Sequence, residues 1–270
     1  MNNIVEVICV GNELLSGITL NSNAHWLAGQ ISAAGWVIRR VTTVRDQVDE
    51  ISAAVREVIS RRPGLIMITG GLGATYDDMT LEGVALALGK QVRLDRRAVA
   101  MLKKSYASRG LDYELTEARL KMATIPDGST PLQNLLGSAP AVRLRSGRTD
   151  IFCLQGVPPE MQEAFRKYVL PMLRKAVGRF VLQEARFEVT GITEAMLAPG
   201  LSKIVRSAPM KLVYIKTHPR GYRGKTPRLM VHIISKGTAR SDVKARLKRA
   251  SAGIQGEIKK LGGTSTKIEA

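Results

Sequence analysis

The chain has 270 residues, of which 44% are hydrophobic and only 4% aromatic, and its formal net charge is +18. This length allows one large or two modest domains with a true core, and the composition is typical of a globular protein with an aliphatic core. No apolar run reaches the ~18 residues of a membrane span, and no basic segment precedes an apolar one at the N-terminus. We therefore expect a cytoplasmic protein with no membrane partner.

The positive charge is concentrated towards the end of the chain. Residues 172–270 contain 21 Lys and Arg against 6 Asp and Glu, whereas residues 1–171 contain 20 against 17. This shift predicts two domains, residues 1–174 and 175–262, followed by a flexible tail over residues 263–270. Cys9 and Cys153 lie in apolar, strand-like runs, which favours buried reduced thiols over a disulfide.

Three strand–helix units open the chain. Strands are predicted over residues 4–10, 36–44 and 65–69, and helices over 21–34, 48–60 and from about 80 onward. Repeated units of this kind predict an α/β fold with a parallel sheet and right-handed crossovers. Later segments are also assigned by their patterns. Helices are predicted over 96–108, 115–124 and 158–173, and strands over 141–144 and 151–154.

The third strand runs into a glycine-rich loop, Thr69-Gly70-Gly71-Leu72-Gly73-Ala74-Thr75. Glycines with positive φ and unpaired N–H groups before a helix accommodate an anion such as phosphate. Asp77 and Asp78 add two carboxylates there, which phosphate tolerates mainly when a divalent cation lies between them. The alternative is that these aspartates only cap the helix. The loop has neither the Gly-Lys-Ser/Thr of a P-loop nor the Gly-x-Gly-x-x-Gly of a dinucleotide site.

Ligands of parallel sheets collect at the carboxyl ends of the strands. That rule brings the loops at residues 11–17, 45–46 and 70–78 to one rim, joined by the junction that begins at Gln155. We therefore expect four carboxylates to converge there, although each alone is also compatible with a solvated surface. They are Glu13, Asp46, Asp77 and Asp78.

The basic last third has its own pattern. A strand over 180–190, a helix over 193–206, strands over 211–216 and 228–234, and a helix over 239–260 predict a small α+β domain of βαββα order. Its loop over 218–225 contains Gly-x-x-Gly flanked by Arg and Lys, with Tyr222 available to stack. It is similar to the clamp of KH-type RNA-binding domains, which joins two helices instead of two strands. The alternatives are a basic hairpin turn and, for the last helix, a solvated face.

Five motifs occur in order between residues 11 and 161. They are Gly11-Asn12-Glu13-Leu14-Leu15-Ser16-Gly17, Asn21-x-Asn23, Thr69-Gly70-Gly71-Leu72-Gly73-x-Thr75-x-Asp77-Asp78-x-Thr80, Asn134-x-x-Gly137-x-Ala139-Pro140 and Gly156-Val157-Pro158-x-Glu160-Met161. Together they resemble the N-terminal domain of the CinA (competence/damage-inducible protein) family, in the molybdopterin-binding superfamily. The resemblance covers residues 4–171, and residues 175–262 resemble the small basic domain that follows in this family.

The resemblance implies a three-layer αβα sandwich with a mostly parallel sheet, a homodimer, and metal-dependent hydrolysis of nucleotide pyrophosphates such as ADP-ribose or FAD. It implies that Asp46 and Asp78 serve the metal and the phosphates. We expect the metal to be Mg²⁺, Mn²⁺ or Co²⁺, with Asp77 and Glu13 as further catalytic residues. Other residues are expected around the phosphates and the nucleotide. They are Gly11, Asn12, Asn21, Thr69, Gly70, Gly71, Leu72, Gly73, Ala74, Thr75, Thr80, Asn134, Gly137, Gly156, Pro158 and Glu160.

The chain departs from the family pattern at two positions. Ala74 and Gln155 stand where proline is usual, and neither change removes a candidate ligand. The sequence has no counterpart of the C-terminal deamidase domain of many members, so we do not expect nicotinamide-nucleotide deamidation. Two other functions stay open, namely adenylyl transfer to a pterin and a non-catalytic module whose basic domain binds nucleic acid.

Overall fold

The computed structural model describes residues 2–110, 114–207, 210 and 212–268. The chain divides into two compact units after Val177, three residues beyond the boundary that the sequence predicts. Each unit has its own hydrophobic core, and the two are described separately below.

A six-stranded sheet forms the centre of the N-terminal unit. The strands of this unit are β1 (Ile4–Val10), β2 (Val37–Val44), β3 (Leu65–Thr69), β4 (Val92–Leu94), β5 (Thr124–Pro126), β6 (Thr130–Leu132), β7 (Ala141–Ser146) and β8 (Thr149–Leu154). The sheet has the order β2-β1-β3-β8-β7-β6, while β4 and β5 pair separately. The four strands β2, β1, β3 and β8 are parallel to one another. At one edge β7 pairs antiparallel with β8, and β6 pairs antiparallel with β7.

Helices cover both faces of this sheet. They are α1 (Asn12–Leu15), α2 (Ser22–Ala33), α3 (Val48–Ser60), α4 (Thr80–Ala87), α5 (Arg96–Ala107), α6 (Glu117–Lys121), α7 (Pro158–Ala164) and α8 (Leu170–Val177), with a π-helical turn at Phe165–Val169. Side chains alternate along β1, so that Val7 packs with Leu27 of α2, and Ile8 packs with Ile51 of α3. The predicted three-layer αβα sandwich is confirmed.

Several predicted elements differ in extent. Strands β4, β5 and β6 have three residues each and are absent from the prediction, because so short a segment has no readable periodicity. The helix predicted over 115–124 covers only Glu117–Lys121. By contrast, α3 has the predicted bounds, and α2 begins after an Asn21 cap, one residue inside the predicted helix.

The C-terminal unit is a four-stranded antiparallel sheet with two helices on one face. Its elements are β9 (Val181–Thr190), α9 (Glu194–Arg206), β10 (Val213–Arg223), β11 (Thr226–Gly237), α10 (Arg240–Lys260) and β12 (Thr264–Ile268). The strand order is β10-β11-β9-β12. Phe187 and Val231 of the sheet pack with Leu197 of α9 and Ile254 of α10.

Two predictions for this unit are wrong. The predicted tail over 263–270 contains β12, which pairs with β9 and completes a βαββαβ unit, since alternating β-branched residues suit a strand. The predicted loop over 218–225 lies mostly within a long β10–β11 hairpin, which confirms the basic-hairpin alternative to a KH-type clamp. Lys211, in the predicted strand 211–216, lies outside the described residues.

The cysteine prediction is confirmed. Cys9 and Cys153 are both buried and free, and burial raises the pKa of the Cys153 thiol to about 12. Cys153 is therefore an inert, protonated core residue at neutral pH. Within the described ranges, every helix is too short or too polar to span a membrane.

Candidate functional site

A cavity of about 240 Å³ lies at the carboxyl ends of β1, β2 and β3. The loops after these three strands form most of its wall, and the start of α2 and the β8–α7 loop complete it. The sheet is parallel here, so the strand ends meet at one edge. The rim predicted from the sequence is thus where the cavity lies.

Most of the predicted site residues line this cavity. They are Gly11, Glu13, Asn21, Asp46, Thr69, Gly70, Gly71, Thr75, Asp77, Asp78, Gly156 and Pro158. The remaining predicted residues lie outside its lining. They are Asn12, Leu72, Gly73, Ala74, Thr80, Asn134, Gly137 and Glu160.

Asp46 joins two of the loops. Its Oδ2 accepts a hydrogen bond of 2.7 Å from the backbone N–H of Asn12. Burial raises the pKa of the Asp46 carboxyl, the Asn12 bond opposes this, and the nearby Glu13 and Asp77 carboxylates raise it further. The cavity therefore accumulates negative charge that a bound cation would relieve.

The glycine loop has a backbone conformation that a side chain would prevent. Gly70 has φ +104°, and a Cβ there would lie 2.1 Å from the carbonyl oxygen of Val10. Thr80 holds the loop on α4, since its Oγ1 donates to Gly70 O at 2.8 Å and its N–H donates to Gly71 O at 3.1 Å. Within the described chain, the N–H groups of residues 71–74 have no hydrogen-bond partner. Four consecutive free N–H groups are typical of an anion-binding loop.

Asp77 and Asp78 do not cap the helix that follows them, which removes the capping alternative. The N-cap of α4 is Met79, with no side-chain cap bond. Instead, Thr75 donates its N–H to Asp78 Oδ2 at 2.9 Å and its hydroxyl to Asp77 Oδ1 at 2.6 Å. The Thr75 hydroxyl, and to a lesser extent the nearby Lys121 ammonium, lower the pKa of Asp77. Both carboxylates thus belong to the loop and line the cavity.

Asn23 is a cavity residue that the predicted site set omits. It is 8% exposed, and its Nδ2 donates to Thr69 Oγ1 at 3.1 Å and to Gly156 O at 2.7 Å. Its Oδ1 is buried and has no partner in the described part of the chain. The Asn21-x-Asn23 motif is the sequence signal from which Asn23 could have been predicted as a site residue. Asn21 differs, because its side chain caps α2 by accepting from Ala24 N at 3.0 Å.

Asn134, Gly137 and Glu160 form a separate structural cluster. Asn134 Nδ2 donates to Glu160 Oε2 at 2.7 Å, and Asn134 Oδ1 accepts from Gly137 N at 2.7 Å. A Cβ on Gly137 would lie 2.0 Å from Glu160 Oε2. These contacts fix the loop before β7 against α7, and the three residues stand outside the cavity lining.

The carboxylates suit a hard divalent cation held together with a ligand. No three His, Cys, Asp or Glu side chains within the described ranges are grouped as a metal site. Mg²⁺, however, is usually held by one or two carboxylates together with substrate phosphates and water. Asp46 and Asp78 line the same cavity, and Asp78 Oδ1 accepts no hydrogen bond from any described residue. The donor set therefore fits a cation that arrives with phosphate.

Comparison with known proteins identifies the family. A family model described as "probable molybdopterin binding domain" matches residues 6–175. The chain belongs to this family. A protein of Metallosphaera sedula is 37% identical to it over 264 residues, which cover 98% of this chain and 97% of the relative. A protein of Aeropyrum pernix is 37% identical over 258 residues, which cover 96% and 94%.

A solved structure extends the comparison. The crystal structure of "the protein CinA with unknown function" from Thermoplasma acidophilum is 40% identical to this chain, with a TM-score of 0.57. The match covers 61% of this chain and 95% of that one. The resemblance of the molybdopterin-binding domain to CinA, inferred from its motifs, is confirmed.

Proposed function

We propose that the molybdopterin-binding domain hydrolyses the pyrophosphate bond of a nucleotide diphosphate of the ADP-ribose or FAD type, with a divalent metal. The observation that supports this most is that four carboxylates from three loops line one cavity together with Gly71, whose backbone N–H has no partner among the described residues. Carboxylates suit a cation and N–H groups suit an anion. A pyrophosphate with its bound cation offers both charges to this cavity.

The residues of the cavity have distinct roles in this proposal. Asp46 and Asp78 would hold the cation, with Asp77 beside them. Such a cation, when bound, neutralises phosphate charge and lowers the pKa of a nearby water. Glu13, which is exposed and close enough to Asp46 to influence its pKa, orients the attacking water or a ribose hydroxyl. The N–H group of Gly71, a residue of the cavity lining, donates to a phosphate oxygen as negative charge builds in the transition state.

Asn23 supplies recognition in this proposal. An acceptor left buried without a donor costs about 1–3 kcal/mol, so the free Oδ1 favours a ligand that brings an N–H group. The amino group of adenine is such a donor. The side chain is already held by its bonds to Thr69 and Gly156, so it is oriented before the ligand arrives.

A second candidate function is binding or adenylylation of a pterin. The description of the family model supports it, and a pterin also carries an amino group that Asn23 Oδ1 would accept. The two candidates differ in their reaction. Hydrolysis consumes the nucleotide with water alone, whereas adenylyl transfer requires a pterin and releases pyrophosphate from ATP.

The test is product analysis with the purified full chain. ADP-ribose and FAD are each incubated with Mg²⁺, Mn²⁺, Co²⁺ or EDTA, and a parallel reaction contains molybdopterin and ATP. We expect AMP from both diphosphates with at least one metal and none with EDTA. Formation of adenylylated pterin, with no AMP from either diphosphate, would contradict the hydrolase proposal and support adenylyl transfer. Turnover in EDTA would contradict the metal requirement.

A further inference from the structure

The β10–β11 hairpin of the C-terminal unit carries charge of one sign. Residues 213–237 contain six Lys and Arg and two His, and no Asp or Glu. A surface of one sign raises the local concentration of polyanions and accelerates their association. The hairpin is therefore a candidate binding surface, independent of the cavity in the molybdopterin-binding domain.

The open face of the sheet carries only part of this charge, at Lys216, Arg228 and Lys236. Arg228 forms a salt bridge with Glu188, and Arg186 forms one of 2.9 Å with Glu184. Four-stranded RNA-binding sheets stack bases on aromatic side chains of their central strands, but here Phe187 of β9 is buried in the core. The face over the central strands is thus largely neutralised and offers no Phe, Tyr or Trp among the described residues of β9 and β11.

The end of the hairpin, by contrast, is mostly unpaired, although Arg220 is close enough to Glu188 to lower the pKa of that carboxyl. Arg223 and Lys225 are exposed and form neither a salt bridge nor a side-chain hydrogen bond with any residue that the structure describes. Arg220 is also exposed, and its guanidinium contacts Met230 Sδ at 3.7 Å. Tyr222 lies among these three cations and is 68% exposed. Exposed cations around an exposed ring suit both a phosphate backbone and a base.

A cavity of about 320 Å³ adjoins this end of the hairpin. It lies between the hairpin and the start of α9, and its lining includes Pro219, Tyr222, Pro227 and Arg228. Proline rings, a phenol ring and a guanidinium plane are the surfaces on which a flat heterocycle packs. The volume is within the range of small-ligand sites.

We propose that this hairpin binds single-stranded nucleic acid. Arg220, Arg223 and Lys225 contact phosphates, and Tyr222 stacks on an unpaired base at the mouth of the cavity. Stacking needs a base whose face is free, so single strands bind more tightly than duplexes. Each phosphate that the protein neutralises releases counterions, so the affinity falls steeply as salt rises.

The first test measures binding of fluorescein-labelled 20-nucleotide single strands of RNA and DNA, and of a 20-base-pair duplex, by fluorescence anisotropy. The full chain is titrated at 50 to 300 mM KCl. We expect Arg220→Ala/Arg223→Ala/Lys225→Ala to weaken single-strand binding at least tenfold at 50 mM. The logarithm of the association constant decreases with the logarithm of the KCl concentration. In the triple variant this slope should become shallower by roughly two, at ~0.7 for each lost phosphate contact.

A matched control separates this site from general charge. Lys103→Ala/Lys104→Ala/Arg148→Ala removes the same three charges from exposed positions of the N-terminal unit. We expect it to weaken binding less than twofold. An equal loss in both triple variants would overturn the proposal, as would the absence of single-strand binding by the wild type at 50 mM KCl.

The stacking step has its own pair of variants. Tyr222→Ala should weaken binding at least fivefold, whereas Tyr222→Phe keeps the ring and should stay within twofold of the wild type. Far-UV circular dichroism establishes that each variant is folded. Duplex binding as tight as single-strand binding, or no effect of Tyr222→Ala, would show a plain polyanion surface and contradict the proposal.

Discussion

The backbone N–H of Asn12 donates a hydrogen bond of 2.7 Å to Asp46 Oδ2, and this bond joins the loop after β1 to the loop after β2. It holds a carboxylate whose pKa is raised by burial and by two neighbouring carboxylates, Glu13 and Asp77. The site thus retains an electrostatically unfavourable group in a defined position. Such an arrangement is typical of functional sites.

The variant Asp46→Asn tests whether Asp46 lowers stability for the benefit of function. Asparagine can still accept the Asn12 bond, and it removes the repulsion from Glu13 and Asp77. We expect the free energy of unfolding without metal to rise by about 0.5–1 kcal/mol at pH 7, and turnover to be lost. Urea unfolding followed by tryptophan fluorescence measures this free energy. Trp26 and Trp36 are the two tryptophans of the chain, and both lie in the N-terminal unit with Asp46.

The gain from Asp46→Asn should depend on pH in a defined direction. Because folding raises the pKa of Asp46, the folded state binds this proton more tightly than the unfolded state, and wild-type stability falls as pH rises through that pKa. The difference between the two proteins should therefore vanish below about pH 3.8, where both states are protonated. A destabilised variant at pH 7 would contradict this account.

Glu6 predicts the opposite pH dependence. It is fully buried in β1 and accepts hydrogen bonds from Arg39 Nε at 2.7 Å and Arg61 Nε at 2.9 Å. Burial acts to raise its pKa, but Arg61 and Arg39 outweigh burial and hold the pKa below 4.5. Its stabilising contribution is therefore complete above about pH 4.5 and is lost as the pH falls through the lowered pKa.

We expect Glu6→Gln to lower the free energy of unfolding by about 3 kcal/mol at pH 7, since it leaves two guanidinium groups without their buried partner. The loss should shrink as the pH falls. Glu57→Gln is the control, because Glu57 pairs with the same Arg61 from an exposed position, and it should cost less than about 1 kcal/mol. Equal losses in the two variants would show that burial does not set the contribution of Glu6.

Gly137→Ala tests the cluster that fixes the loop before β7. The added Cβ would meet Glu160 Oε2 at 2.0 Å and Asn134 Nδ2 at 2.5 Å, so the bond between these side chains must break. We expect a loss of about 2 kcal/mol in the free energy of unfolding. Gly29→Ala, inside α2 with no atom of a described residue within 4 Å of its Cβ position, should instead stabilise by roughly 0.5–1 kcal/mol. A neutral Gly137→Ala would refute the tight packing.

Asn23 should determine discrimination between bases. If its free Oδ1 accepts the adenine amino group, the wild type should hydrolyse ADP-ribose at least tenfold faster, in kcat/KM, than inosine diphosphate ribose, which has a carbonyl there. Asn23→Ala should abolish this ratio. Asn21→Ala is the control, because Asn21 Oδ1 is already bonded to Ala24, so it should cost about 1 kcal/mol of stability and leave the ratio unchanged. An unchanged ratio in Asn23→Ala would remove the assigned role.

The features predicted correctly from the sequence are those that depend on local patterns. The apolar strands before Gly11, Arg45 and Gly70 have readable lengths, and one topological rule then brings their loops together. That is why Glu13, Asp46 and Asp78 could be expected at one rim before any coordinates.

The features that were missed depend on contacts distant in sequence. Glu6 looks like an ordinary polar position, and its partners Arg39 and Arg61 are 33 and 55 residues away. The strand β12 is held by β9, and Thr264 contacts Thr190, 74 residues earlier. The Asn23 Oδ1 acceptor is left without a partner because the Nδ2 of the same side chain donates to Thr69 and Gly156. No sequence pattern predicts these contacts.

The most direct measurement of the central claim is AMP release from ADP-ribose with Mg²⁺, Mn²⁺ or Co²⁺, by the wild type, Asp78→Asn and Asp49→Asn. Asparagine at 78 can still accept the Thr75 N–H, so the loop should fold, and the variant should lose turnover at least 100-fold. Asp49 is exposed, lies outside the cavity lining and loses the same charge, so its variant should stay within twofold. Unchanged turnover in Asp78→Asn, or no AMP from the wild type with any metal, would contradict the account.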